Sequence, residues 1–193
     1  VRALDEPAAR GLPGTEGALM PFFSPDGEWI AFFGETSTLE KVPANGGPVV
    51  TVAEGNFRAS RGAWTEDGWI VFTQPTAELP GQILRVRADG GVPEPLPATD
   101  EGQRQLVGSV STVPGATFLL VTVASSTAAE GPAVAVQSLE TGERRVLAPG
   151  GSLPRLLAGG HVVYLHSRRL MVGRIDTGAA RLVGTPIPLD AVT

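Results

Sequence analysis

The chain has 193 residues, of which 42% are hydrophobic, and a chain of this length and composition can bury one substantial core. Its formal net charge of −5 argues against an electrostatic nucleic-acid binder, because such proteins need a basic surface to meet the phosphates. The lack of cysteine excludes disulfides and cysteine-zinc sites. No apolar run approaches the ~20 residues of a membrane helix, so direct membrane insertion is not expected.

Residues 1–14 match the second half of a later sequence repeat. At one constant offset, Val1 aligns with Val136, Leu4 with Leu139, Asp5 with Glu140 and Leu12 with Leu147. The match predicts that residues 1–14 are the last two strands of a blade whose first two strands are missing from the chain.

A turn followed by a continuous apolar run occurs four times. The clearest copy is Phe23-Ser24-Pro25-Asp26-Gly27 before 29–33, and the second is Trp64-Thr65-Glu66-Asp67-Gly68 before 69–72. Two weaker copies lie at 112–116 and 156–160. The spacing of these turns lies in the range of about 40–50 residues that is typical of four-stranded propeller blades.

The second half of each repeat contains a hairpin. Each hairpin turn lies between two apolar runs, and the turns are Asn45-Gly46-Gly47, Asp89-Gly90-Gly91, Thr141-Gly142 and Thr177-Gly178. Such residues favour tight turns because they tolerate positive φ. We therefore predict an all-β protein, a β-propeller of four-stranded antiparallel blades. About four and a half blades are present, as a partial or open ring, with complete blades at 15–55, 56–98, 104–149 and 152–190.

The second strand of each predicted blade is apolar without alternation, as in 29–33 and 118–121. A continuous apolar run indicates a strand that is covered on both faces, as it is between stacked blades. The third repeat departs from the pattern, because Thr112 replaces the aromatic residue and the turn lacks Asp. This departure puts the inner packing of that blade in question, but not the fold.

The polar and aromatic residues that stand out have structural explanations. Asp26 and Asp67 lie in tight turns, where Asp accepts a hydrogen bond from the amide two residues on. His161 and His166 flank one short strand and are expected to face opposite sides of it. The tryptophans Trp29, Trp64 and Trp69 are expected in the core between blades rather than on an aromatic binding platform.

No catalytic, metal-binding or cofactor-binding residues are predicted, and the chain is not expected to be an enzyme. It lacks both the Gly-rich loop with strand Lys of a kinase and the Gly-x-Ser-x-Gly elbow of a serine hydrolase. Loops on a rigid scaffold are common recognition sites, and three loops of variable length are candidates: 74–81, 99–105 and 125–132.

The repeat resembles that of TolB-type, WD-repeat-like propellers, which have a Ser-Pro-Asp-Gly turn before an apolar strand. The resemblance is sharpest at 14–33 and continues through 41–47, 67–72, 139–147 and 160–164. In this order the segments are similar to the propeller that follows the kinase domain in some bacterial serine/threonine kinases.

This resemblance implies a binding or sensing module of a receptor-like kinase, in an extracytoplasmic location, that recognises a protein or a small molecule. Three alternatives stay open: a gating propeller attached to a peptidase, a stand-alone TolB-like periplasmic interaction protein, and an enzyme whose site lies in the propeller channel. Uncovered blade edges also make self-association possible.

Overall fold

The computed structural model describes residues 1–2, 8–57, 60–74, 81–100, 105–124 and 131–189. Sixteen strands form four sheets of four strands, each in chain order with antiparallel neighbours. Blade 1 has β1 (Leu19–Phe23), β2 (Trp29–Phe33), β3 (Leu39–Pro43) and β4 (Val50–Ala53). Blade 2 has β5 (Gly62–Trp64), β6 (Trp69–Thr73), β7 (Ile83–Arg87) and β8 (Glu94–Pro95).

Blade 3 has β9 (Leu106–Ser111), β10 (Phe118–Ala124), β11 (Pro132–Ser138) and β12 (Arg144–Pro149). Blade 4 has β13 (Gly151–Leu157), β14 (His161–His166), β15 (Arg169–Asp176) and β16 (Arg181–Pro188). The predicted all-β architecture of four-stranded antiparallel propeller blades is confirmed. In the described ranges no helix is long and apolar enough to cross a membrane.

The first strands of the blades lie side by side: β1 contacts β5, β5 contacts β9 and β9 contacts β13. The approach between the first two depends on Gly62, because a Cβ atom there would lie 2.5 Å from the ring of Phe22. Within the described part of the chain, no strand of blade 4 makes a comparable contact with blade 1. The four blades are therefore arranged side by side in sequence order.

Three apolar clusters join successive blades. Ala31 and Phe33 of blade 1 pack with Ile70 and Phe72 of blade 2, where Phe33 and Phe72 lie 6.0 Å apart between ring centroids. The other two clusters follow the same plan, with Val71, Val107, Leu119 and Val121 between blades 2 and 3, and Phe118, Leu120, Val136 and Val162 between blades 3 and 4. The second strands are thus covered on both faces in blades 1 to 3, as their apolar runs indicate.

The inner packing of blade 3, which the divergent turn puts in question, is complete along its second strand. Phe118, Leu119, Leu120 and Val121 are all buried. Val113 of the divergent turn belongs to the cluster between blades 3 and 4, so an apolar turn residue helps to fill the space near the lost aromatic position. Thr112 contributes a hydrogen bond instead, because its hydroxyl donates to the Trp64 carbonyl at 3.3 Å.

The residues before β1 cover the face of blade 1 that is turned away from blade 2. Leu12 is buried there with Ile30, Phe32 and Val42. Val1 and Arg10 exchange two backbone hydrogen bonds, of 2.7 and 2.8 Å, although the described residues of this segment form no assigned strand. The half-blade at 1–14 stays a prediction, and the same is true of the blade boundaries.

Basic side chains tie several blades to a backbone turn of the next. Arg10 donates to the carbonyls of Ala44 and Asn45 at 3.0 and 2.9 Å, and Lys41 of blade 1 donates to the Ala88 carbonyl at 2.7 Å. Arg145 of blade 3 donates to the carbonyls of Ala179 and Ala180 in blade 4. Arg10 and Arg145 occupy equivalent positions in the sequence repeat, so the same contact, from a guanidinium group to two carbonyls of the following blade, occurs twice.

Candidate ligand cavity at the blade turns

The turns between the first and second strands of the four blades surround a cavity of about 770 Å³. Each blade contributes the residue at the position of the repeat where its first strand gives way to the turn. These residues are Phe23, Trp64, Thr112 and Leu156. The repeat therefore delivers one side chain per blade to the same space. This volume lies within the range of about 300–1,000 Å³ that is usual for ligand pockets.

The cavity has an apolar floor between blades 2 and 3. Val71, Leu96 and Leu119 line it, and all three belong to the buried cluster that joins these blades. The hydrogen bond from Thr112 to the Trp64 carbonyl crosses the same joint. The floor is therefore part of the buried core between blades 2 and 3.

One wall of the cavity is acidic. Glu66 and Asp67 lie in the turn of blade 2 and line the cavity. Among the described residues, neither carboxylate has an ion pair or side-chain hydrogen bond, whereas the Asp67 backbone carbonyl accepts a hydrogen bond from Arg87 at 3.1 Å. The basic residue of the lining, Arg85, is already paired with Glu94 at 2.6 Å. The negative charges are therefore available to a ligand.

The turn carboxylates differ in role, and one expectation about them is wrong. Asp26 accepts hydrogen bonds from the Ser24 hydroxyl and from the Glu28 amide, two residues on, as predicted. The Ser24 hydroxyl bond, followed by the Glu28 amide bond, lowers the pKa of Asp26. In blade 2 the Thr65 hydroxyl accepts from the Trp69 amide at 2.8 Å, so a hydroxyl and not Asp67 holds that turn.

The three tryptophans are half-buried, and two of them make cation–π contacts with basic side chains of this protein. Lys41 lies 4.7 Å from the Trp29 ring centroid, and Arg85 lies 4.5 Å from that of Trp69. Trp64 packs against the core between blades 1 and 2, and no described cation lies over its ring. Trp64 also lines a second cavity of about 320 Å³ towards blade 1, so it forms part of the wall between the two cavities.

His161 and His166 are the first and last residues of β14, which agrees with their predicted position at the strand ends. Neither lines the cavity. In the described ranges no cluster of His, Asp and Glu is arranged to hold a metal ion.

The three recognition loops predicted from the sequence, 74–81, 99–105 and 125–132, lie largely outside the described residues. The cavity was not predicted, because its walls come from four turns that are far apart in the chain. One feature of the sequence could have indicated the cavity. The position before the turn holds a large apolar residue in three of the repeats: Phe23, Trp64 and Leu156.

Comparison with known proteins gives the fold a name. No family model matches the chain, and no curated protein matches its sequence. Its structure is similar to TolB from Acinetobacter baumannii, with a TM-score of 0.68 and 19% identity over 90% of this chain and 44% of that one. It is also similar to a putative TolB from Agrobacterium tumefaciens, with a TM-score of 0.58 and 12% identity over 90% of this chain and 62% of that one.

A third similar structure is a puromycin-hydrolyzing peptidase from Mycobacterium tuberculosis, with a TM-score of 0.58 and 14% identity over 89% of this chain and 32% of that one. The chain thus spans less than two thirds of each of these proteins. At such identities the likeness concerns the fold alone. The fold of the chain is that of a TolB-like β-propeller.

Proposed function

We propose that the chain is a non-catalytic recognition module that binds a basic, partly apolar ligand in the cavity at the blade turns. The observation that carries this proposal is the combination of an apolar floor, the Trp64 ring and two uncompensated carboxylates in one space of about 770 Å³. A peptide with Lys or Arg beside aliphatic side chains fits this chemistry, because its cations would meet Glu66 and Asp67 and its apolar groups would cover the floor.

Aromatic and electrostatic contacts would act together at Trp64. A cation held over a tryptophan ring gains about 0.5–2 kcal/mol, depending on how far it is desolvated. Trp29 and Trp69 already hold Lys41 and Arg85 in this way, whereas Trp64 faces the cavity beside Glu66. A ligand cation at that place would complete a third contact of the same kind.

The proposal is tested by titration calorimetry with two short capped peptides, Ac-Leu-Arg-Leu-Arg-amide and its acidic counterpart Ac-Leu-Glu-Leu-Glu-amide. We expect the basic peptide to bind and the acidic one not to bind. The double variant Glu66→Gln, Asp67→Asn should lose most of the affinity, and Glu54→Gln, an exposed carboxylate outside the cavity, should keep it. Equal binding of both peptides, or hydrolysis of either by the chain, would overturn the proposal.

We place this module in a bacterial receptor-like serine/threonine kinase as its sensing portion. The support is the order of the repeat segments, which resembles the propeller of such kinases. The reading frame around these residues is the direct test, since a kinase domain upstream is expected.

A second candidate is a propeller that restricts access to a peptidase active site. The observation that favours it is the structural likeness to the puromycin-hydrolyzing peptidase and to prolyl oligopeptidase B from Galerina marginata, the latter with a TM-score of 0.52 and 13% identity over 84% of this chain and 28% of that one. An α/β-hydrolase domain next to these residues would support this candidate and exclude the kinase.

A further inference from the structure

The second cavity, of about 320 Å³, lies between the turns of blades 1 and 2. Blade 1 lines it with Asp26 and Trp29, and blade 2 lines it with Trp64 and Glu66. Each of the two blades thus contributes one carboxylate and one indole ring to the same space. Because a buried apolar cluster joins these blades, the turns that carry the four side chains are attached to a common core.

The carboxylate of Asp26 has one oxygen available for a ligand. Its Oδ1 atom accepts hydrogen bonds from the Ser24 hydroxyl and from the Glu28 amide, the latter at 3.0 Å. Its Oδ2 atom receives no hydrogen bond from another residue in the part of the chain that the structure describes. The turn therefore orients the carboxylate through one oxygen, and a ligand that bonds to the other does not have to displace a contact of the turn.

An ammonium group of the chain itself binds to two residues that line this cavity. Lys41 Nζ lies 4.7 Å from the centroid of the Trp29 ring and donates a hydrogen bond to the Ala88 carbonyl at 2.7 Å. Lys41 is not among the lining residues, so its ammonium group does not fill the cavity. The two carboxylates of the lining outnumber this one cation, and over the ring of Trp64 no cation of the described residues is found.

The second cavity adjoins the cavity at the blade turns. Both cavities are lined by Trp64 and Glu66, and also by Pro25 and Thr65. Asp26 lines only the second cavity, whereas Asp67, at the equivalent position of the next repeat, lines only the cavity at the blade turns. Each cavity therefore has a turn carboxylate of its own, and Glu66 belongs to both. One extended ligand is able to reach the two cavities together.

We propose that the second cavity is a subsite for a second cation of the ligand, so that the chain selects dibasic over monobasic peptides. This inference rests on the proposed function, because the cavity at the blade turns would hold the first cation beside Asp67. The second cation would lie among Trp29, Trp64 and Asp26, where indole faces and a carboxylate attract it at once. Since both cations belong to one molecule, the second contact forms at a high effective concentration.

Titration calorimetry with three peptides of equal length tests the preference. The dibasic peptide is Ac-Leu-Arg-Leu-Arg-amide, and the monobasic peptides are Ac-Leu-Arg-Leu-Gln-amide and Ac-Leu-Gln-Leu-Arg-amide. We expect the dibasic peptide to bind about tenfold more tightly than the better monobasic one, which is the size of effect that a single cation–π contact can supply.

Three single variants separate the subsite from the general effect of negative charge. Asp26→Asn should reduce the advantage of the dibasic peptide to less than about threefold, while its amide oxygen still accepts from the Glu28 amide to hold the turn. Glu28→Gln removes the same charge two residues away, at an exposed side chain that lines neither cavity, and should keep the advantage. Asp67→Asn should weaken the binding of all three peptides.

The indole N–H signals of the tryptophans give a second measurement, which needs no change to the turn. In ¹H–¹⁵N spectra of the unmodified chain, assigned with Trp29→Phe, the dibasic peptide should shift the signal of Trp29, and the monobasic peptides should leave it nearly unchanged. Trp29 reports on the subsite because it lines only the second cavity, whereas Trp69 lines only the cavity at the blade turns.

The outcomes distinguish failure of this inference from failure of the proposed function. If none of the three peptides binds, the proposed function is wrong and the subsite with it. If the monobasic peptides bind as tightly as the dibasic one, the subsite alone is overturned. The same holds if Asp26→Asn and Glu28→Gln reduce the advantage equally, or if the Trp29 signal does not respond to the dibasic peptide.

Discussion

Blades 1 and 4 have the same four-stranded topology but differ in what covers their outer faces. The outer face of blade 1 is closed by Leu12, so that Phe32 and Val42 lie in a small core of their own. The outer face of blade 4, on the side turned away from blade 3, leaves Leu170 and Ile187 in solvent. The difference shows what one well-placed side chain does: Leu12 buries Ile30, Phe32 and Val42, and no described residue does the same for Leu170 and Ile187.

The strongest test of this comparison is truncation of a second-strand residue on each outer face. Phe32→Ala should lower the free energy of unfolding by about 3–4 kcal/mol, because it leaves a cavity in a closed cluster. Leu165→Ala in blade 4 should lower it by about 1 kcal/mol, because Leu165 is only half-buried. Urea unfolding measures both, and equal losses would contradict the distinction between a covered and an open face.

The covering segment can be tested by itself. Leu12→Ala should cost about 2–3 kcal/mol of stability, whereas Leu170→Ala at an exposed position should change it by less than about 0.5 kcal/mol. If Leu12→Ala were as mild as Leu170→Ala, the segment before β1 would not be part of the folded unit. The same urea titrations decide this.

A smaller effect is expected from the guanidinium that anchors this segment. Arg10→Ala removes two hydrogen bonds to backbone carbonyls of blade 1 and should cost about 1 kcal/mol. Arg174→Ala in blade 4 should stay within about 0.5 kcal/mol, because no described group bonds to this exposed side chain. Thermal melting of the two single variants compares them, and a larger loss for Arg174 would reverse the order.

The smallest effect is a dependence of the first turn on pH. The pKa of Asp26 is lowered in the folded state, mainly by the Ser24 hydroxyl, so its ionised form stabilises the turn above the unfolded carboxyl pKa of about 4. This contribution is lost as the pH falls through the lower pKa of the folded state. The protection factor of the Trp29 amide, which corrects its exchange rate for the intrinsic effect of pH, should therefore fall in acid, and Asp26→Asn should remove that dependence.

The corresponding turn of blade 4, at 158–160, contains no carboxylate, so exchange at Val162 should lack this acid-dependent step. A matching loss of protection at both sites would point to global unfolding and would contradict a local role of Asp26.

The architecture was largely predictable from the sequence, because its determinants are local. Turn chemistry around Asp26 and the apolar runs of the second strands depend on neighbouring residues. The packing of blade 3 was not predictable, because Val113 substitutes for an aromatic residue only once the neighbouring blade is in place. The cavity was not predictable for a similar reason, since Phe23, Trp64 and Thr112 meet only after the blades have assembled.

The ties from Arg10, Lys41 and Arg145 to the next blade end on backbone carbonyls, not on side chains. Every amino acid supplies a carbonyl, so the receiving turn is free to change its sequence as long as its path is kept. The sequence of these turns can therefore change during evolution while the hydrogen bonds between neighbouring blades are kept. A propeller of this kind is able to drift beyond the reach of sequence comparison and still keep its blades in order.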